Sequence, residues 1–253
     1  MSNTSNPTLR AEVFREAHRD LAGSEAVMTM NGTLSKSAAL LLAVAGAAVF
    51  TWQKTLVGDG AAPWALGGAI AGLVLGLIVS FKPKLAPTLA LPYALAQGLF
   101  LGAISATYAQ RFGGPESGLV LQAVTLTFGV ALSMLVLYAL RIIRVTERLR
   151  SIVLIATGGV MVMYLVSFLL SLFMHSSPIG MLHSSGTIGI GFSLFVVGLA
   201  AFNLLMDFDL IERGAASGAP KYMEWYGAFA LIVTLIWLYL EILRLLSKLR
   251  SRN

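Results

Sequence analysis

Seven apolar stretches, each close to the roughly 20 residues a helix needs to cross a bilayer, punctuate the chain at residues 37–52, 63–81, 88–108, 118–140, 152–173, 186–206 and 225–246. Their length and their lack of strict alternation predict membrane-crossing helices rather than barrel strands. The first is the shortest and the sixth opens in the glycine-rich segment GTIGIGF, so those two ends are the least sharply marked. The expected fold is an all-α integral membrane protein with seven transmembrane helices. Residues 1–34 are read as a polar N-terminal tail, 35–248 as the membrane domain and 249–253 as a basic C-terminal tail. The N-terminal tail sets Phe14, Leu21 and Val27 among charges, with a flexible join at Asn31-Gly32, and has no apolar core of signal-peptide type.

The polar connections carry a second pattern. Arg10, Arg15, Arg19 and Lys36 precede the first span, Lys82 and Lys84 follow the second, Arg141, Arg144, Arg148 and Arg150 the fourth, and Arg213 and Lys221 the sixth. Lysine and arginine concentrate on the cytoplasmic side of membrane proteins, so the expected setting is the inner, cytoplasmic membrane with the N-terminus in the cytoplasm. Seven crossings then put Lys248, Arg250 and Arg252 on the far side. A last helix that enters without fully crossing would remove that conflict.

Inside the spans, small residues four apart mark close helix contacts. Gly68, Gly72 and Gly76 form one such stripe, and Gly98 and Gly102, with Ala94 and Ala106, form another. They suit packing within the chain or a homodimer face, and the oligomeric state stays open. The 3.6-residue period puts Gly227, Ala230, Thr234, Leu238 and Glu241 on one side of the last span. A small-residue side that also carries an acid belongs against protein, which predicts a central last helix wrapped by the other six.

Composition narrows the function classes. A chain that is 57% hydrophobic and 12% charged departs from soluble domains, where about a quarter of residues are charged. With no cysteine, thiolate metal sites and thiol nucleophiles are excluded. The net charge of +6 sits in loops where it meets anionic headgroups, so no nucleic-acid partner is expected. His175 and His183 share a loop without carboxylate partners, and neither a metal site nor a catalytic constellation emerges. No enzymatic activity or bound cofactor is expected.

The acids remain. Glu241 lies well inside an apolar span, and Asp207, Asp209 and Glu212 end the span before it. An ionisable group at such depth costs about 2 kcal/mol or more and is normally retained for an ion path or a buried partner. The plainer alternative makes Asp207, Asp209 and Glu212 headgroup-level acids near Arg213, and pairs Glu241 with Arg244 one helical turn later.

Several segments together resemble the Bax-inhibitor/YccA-like branch of the transmembrane Bax-inhibitor-motif family: SNPTL, MTMNGTLSKSAALLL, YALAQGLFLGAIS, GFSLFVVGLAAFNLLMDFDLIERG and APKYMEWYGAFALIVTLIWLYLEILRLL. The resemblance covers nearly the whole chain. It implies a seven-helix fold with the last helix in the middle, and a pH-sensitive calcium leak controlled by acids on helices six and seven, here Asp207 and Glu241. Glu241 stands where Asp is more usual, Asp209 where many relatives have an amide, and Gln97 where relatives often carry Glu. At 1.5 Å per residue, Asp207 and Glu241 differ in depth by roughly 14 Å if the turn is at Gly218-Ala219-Pro220. A distorted hairpin would bring them together. Otherwise Glu224 is the nearer partner for Asp207. Two carboxylates held close share a proton, and a divalent cation such as transient Ca2+ could bridge them through oxygen. A second expectation is modulation of a membrane protease of the FtsH type, with residues 1–34 as the recognition element.

Overall fold

The structure, a computed structural model, describes residues 27–58, 60–174 and 186–252. Among them are seven helices long and apolar enough to cross a membrane: α1 (Met30–Val57), α2 (Ala62–Phe81), α3 (Ala86–Arg111), α4 (Leu119–Ala139), α5 (Glu147–Met174), α6 (Thr187–Ala216) and α7 (Met223–Arg250). Residues 1–26 of the expected N-terminal tail and the loop with His175 and His183 lie outside the described residues.

Helix ends follow from caps more than from hydropathy. The hydroxyl of Thr29 accepts from the Gly32 N–H, and Gly58 closes the other end of α1 at φ 102°, a left-handed conformation that suits glycine. This makes the shortest sequence span a helix of 28 residues. Asn31 and Gly32, read as a flexible join, lie in its first turn. α6 continues through Asp207, Asp209 and Glu212 to Ala216, about ten residues past the apolar stretch, because those acids find partners on neighbouring elements and, for Asp209, also at Arg213 on α6 itself. α7 runs 28 residues, or about 42 Å, which is ample for a full crossing.

α7 is the central element, packing against α1, α3, α4 and α6. The expected ring of six is therefore four close neighbours. α2 packs on α3, and α5 packs on α6, reaching α7 through the side chain of Tyr164. Both glycine stripes are consumed within the chain. A Cβ at Gly68 would meet the Ala96 carbonyl oxygen at 2.6 Å, and one at Gly98 or Gly102 would overlap the backbone of α1 at Val44 or Ala48. Gly76 lies over the Tyr93 ring. α3 is thus held between α2 and α1 at small-residue distances, the contact that membrane helices use in place of a hydrophobic drive. Large apolar side chains such as Leu42, Leu66, Ile70, Leu121 and Ile155 point outward, where lipid is their solvent.

Candidate functional site

The interior of the bundle is polar along one line. α7 contributes Glu224, Thr234, Glu241 and Lys248, all buried. From Glu224 to Lys248 is 24 residues, or about 36 Å of helix, comparable to the roughly 30 Å hydrocarbon core of a bilayer. α6 adds Asp207, which is 0% exposed. This ladder has four levels, each with its own hydrogen-bond partners.

At the first level, the Glu224 carboxylate accepts from the backbone N–H of Thr29 at 2.9 Å, the Thr29 hydroxyl at 2.8 Å and the Lys221 ammonium at 2.8 Å, and it pairs with Lys36. Gly32 leaves the carboxylate its place, since a Cβ there would overlap it and push the Glu224 side chain aside. The chain before α1 is laid along the α6–α7 connection: the Met28 N–H donates to the Ala219 carbonyl at 2.7 Å, and Val27 and Pro220 form an antiparallel bridge.

At the second level, the Thr234 hydroxyl donates to Asp207 Oδ2 at 2.6 Å. One turn before Asp207 on α6, Asn203 donates to the Thr157 hydroxyl at 2.9 Å, tying α6 to α5. At the third, Glu241 is clasped by Arg244, whose Nη1 donates to both carboxylate oxygens at 2.9 and 3.0 Å. The Tyr164 hydroxyl donates to Glu241 Oε1 at 3.0 Å and accepts from Arg244 at 2.7 Å, while the guanidinium lies 5.1 Å from the Tyr164 ring centroid. At the fourth, the Lys248 ammonium donates to the Gly189 carbonyl at 2.9 Å and the Ser193 hydroxyl at 2.8 Å, fastening the end of α7 to the start of α6.

Asp207 and Glu241 do not form a carboxylate pair. Thr234 marks the level of Asp207, and Glu241 lies seven residues further along α7, or about 10 Å. The fully buried Leu238 sits between them on the same face. Glu224 is not the partner of Asp207 either, since ten residues of helix separate it from Thr234. A regular hairpin of two long helices, rather than a distorted one, keeps the three acids at three depths.

Asp209 and Glu212 turn away from this line. Asp209 Oδ2 accepts from Arg150 at 2.8 Å and pairs with Arg213 at 2.9 Å. Glu212 takes the Tyr138 hydroxyl and Arg141 at 3.2 Å. Among the described residues, no group of three or more His, Cys, Asp or Glu could hold a metal ion.

Thr29, Lys36, Arg150 and Tyr164 were invisible as site residues in the sequence. Arg150 was legible only as one positive charge among several, and Tyr164 carried no signal. Thr234 and the Arg244 partner of Glu241 could be found, by helical spacing from Glu241.

No curated protein and no solved structure shows a significant match to the chain. A family model does: Bax inhibitor 1 like, over residues 6–251. With seven apolar helices, the last of them central, and acids buried on the sixth and seventh, the chain belongs to the Bax inhibitor 1 like family of membrane proteins.

Proposed function

We propose that this chain is a pH-sensitive passive cation leak of the cytoplasmic membrane, N-terminus inside, with the acids of α6 and α7 as its gate and calcium as the cation that passes. The observation that carries this reading is the polar ladder through an otherwise apolar bundle, with Asp207 0% and Glu241 1% exposed. Acids at such depth are expensive unless a pathway or a partner uses them.

The arrangement described above is the closed state. With Asp207 protonated, its hydrogen bond to Thr234 completes a neutral contact between α6 and α7, and Leu238 separates it from Glu241. Ionisation places a charge where there is no water to receive it, and separation of α6 from α7 hydrates it. A cation drawn to Asp207 would pass Leu238 to Glu241, where it exchanges with Arg244. Carboxylate oxygens suit a hard divalent ion, and ligands spread over several depths suit transit rather than storage.

Flux should therefore rise with pH. Liposomes holding a calcium dye and the purified protein, compared from about pH 5 to about pH 8, give the test. Asp207→Asn should lock the low-flux state and Glu241→Gln should lose the pH response, both inserting normally. Influx no greater than that of empty liposomes at every pH would sink the reading.

A second reading, modulation of an FtsH-type membrane protease, draws support from the Val27–Pro220 bridge, which ties the root of the tail to the gate hairpin. Deleting residues 1–26 should abolish protease engagement and leave any leak intact.

A further inference from the structure

A groove of about 690 Å³ opens between α1 and α4, with α3 and α7 as its floor. That is within the ~300–1,000 Å³ typical of ligand pockets. It exists because α1 presents Ala38, Ala45 and Ala48 at helical spacing toward α4, leaving space where larger side chains would close the seam. Its rim residues Leu42, Val49 and Phe128 are exposed, so the groove is continuous with the lipid-facing surface.

The lining decides what fits. Three hydroxyls are present, and each is satisfied within the protein: Ser105 and Tyr239 bond each other at 2.6 Å, and Thr127 donates to the Ala123 carbonyl at 2.7 Å. Apart from the Trp52 indole, the remaining side chains of the wall are hydrocarbon, with Leu235 and Ile236 of α7 among them. A polar ligand would gain nothing there and lose its own solvation. A hydrocarbon chain gains dispersion contacts that an empty groove forfeits.

We infer that this groove is a binding site for one acyl chain of a bilayer phospholipid, entering sideways between α1 and α4 and resting on α7. The site is independent of the leak reading. Its floor residue Tyr239 stands two residues from Glu241 and five from Thr234, so the chain that fills the groove presses on the helix that carries the polar ladder. Lipid chain length and saturation thereby bear on the position of α7.

The test uses full-length protein in vesicles of phosphatidylcholine with a diazirine at mid-chain, followed by photolysis and peptide mapping. The expected labels fall on the α7 floor, at Leu235, Ile236 and Tyr239, besides the outward residues Leu66 and Ile155 that any lipid reaches. Ala45→Phe, which places a ring in the groove from an exposed position on α1, should cut the α7 label about tenfold, because a filled cavity excludes a second occupant. Labels on Leu66 and Ile155 should not change, and they certify that the variant is folded and inserted. Label confined to Leu42, Val49 and Phe128 would overturn the inference. So would an α7 label unaffected by Ala45→Phe. A groove covered by a second copy or by residues 1–26 would show as an unlabelled floor, and that result would overturn it equally.

Discussion

Arg150 is 2% exposed, and its guanidinium lies between Asp209 at 2.8 Å and Glu147 at 2.8 Å. The two acids are not equivalent. Asp209 is itself largely buried, whereas Glu147 is 68% exposed, and a solvated partner contributes little. Removing the buried partner leaves a guanidinium out of water with too little compensation, the situation that costs most. Asp209→Asn should therefore destabilise the protein by roughly 2–4 kcal/mol, and Glu147→Gln by less than about 0.5 kcal/mol. Thermal unfolding in detergent would rank them, and equal shifts would mean that Arg150 is held by packing rather than by charge. The same contrast separates the acids of α6 by role: Asp209 and Glu212 fasten α6 to its basic neighbours, while Asp207 faces the central helix.

The helices pack through contacts that allow no extra atom at some glycines and ample room at others. A Cβ at Gly102 would overlap the Ala48 backbone of α1, while one at Gly129 meets nothing within 4 Å. Gly102→Ala should push α1 off α3 and lower the melting temperature by several degrees. Gly129→Ala, in the open middle of α4, should be neutral or stabilising by up to about 1 kcal/mol from helix propensity alone. Similar melting temperatures for the two variants would refute close α1–α3 approach. The number of helices, the glycine stripes and the interior position of the last helix were legible in the chain, because lipid imposes long apolar runs and close packing imposes small residues. The ends of α1 and α6 were not, since a threonine cap and ion pairs extend a helix past its apolar stretch. Nor was the separation of Asp207 from Glu241 settled, because the register of α6 against α7 depends on the connection between them. The buried partners from distant segments, Tyr164 and Arg150, have no local spacing to betray them.

At the scale of the molecule, both ends of α7 are fastened to another helix, but by different chemistry. Lys248 holds the far end to the first two turns of α6, while Glu224 gathers Thr29, Lys36 and Lys221 at the near end. The near clasp joins the entry to α1 to the α6–α7 connection and the first turn of α7, with Thr29 and Glu224 195 residues apart in sequence. Its carboxylate is wholly buried, whereas the Lys36 and Lys221 side chains are 19% and 50% exposed, so the lysines can return to water and the acid cannot. Glu224→Gln keeps the shape and one acceptor for Thr29 but removes the charge that draws both lysines in. The clasp should then open locally without unfolding the bundle, since the apolar core around Met223, Tyr226 and Phe229 is untouched. Hydrogen exchange in nanodiscs reads this directly. The Met28 N–H, bonded to the Ala219 carbonyl, should exchange about tenfold faster or more, as a loss of roughly 1.4 kcal/mol of local stability implies, while amides in the middle of α7 keep their protection. Unchanged exchange at Met28 would mean that the Val27–Pro220 bridge holds by itself and that charge at Glu224 has no part in tethering the N-terminal segment to the α6–α7 connection.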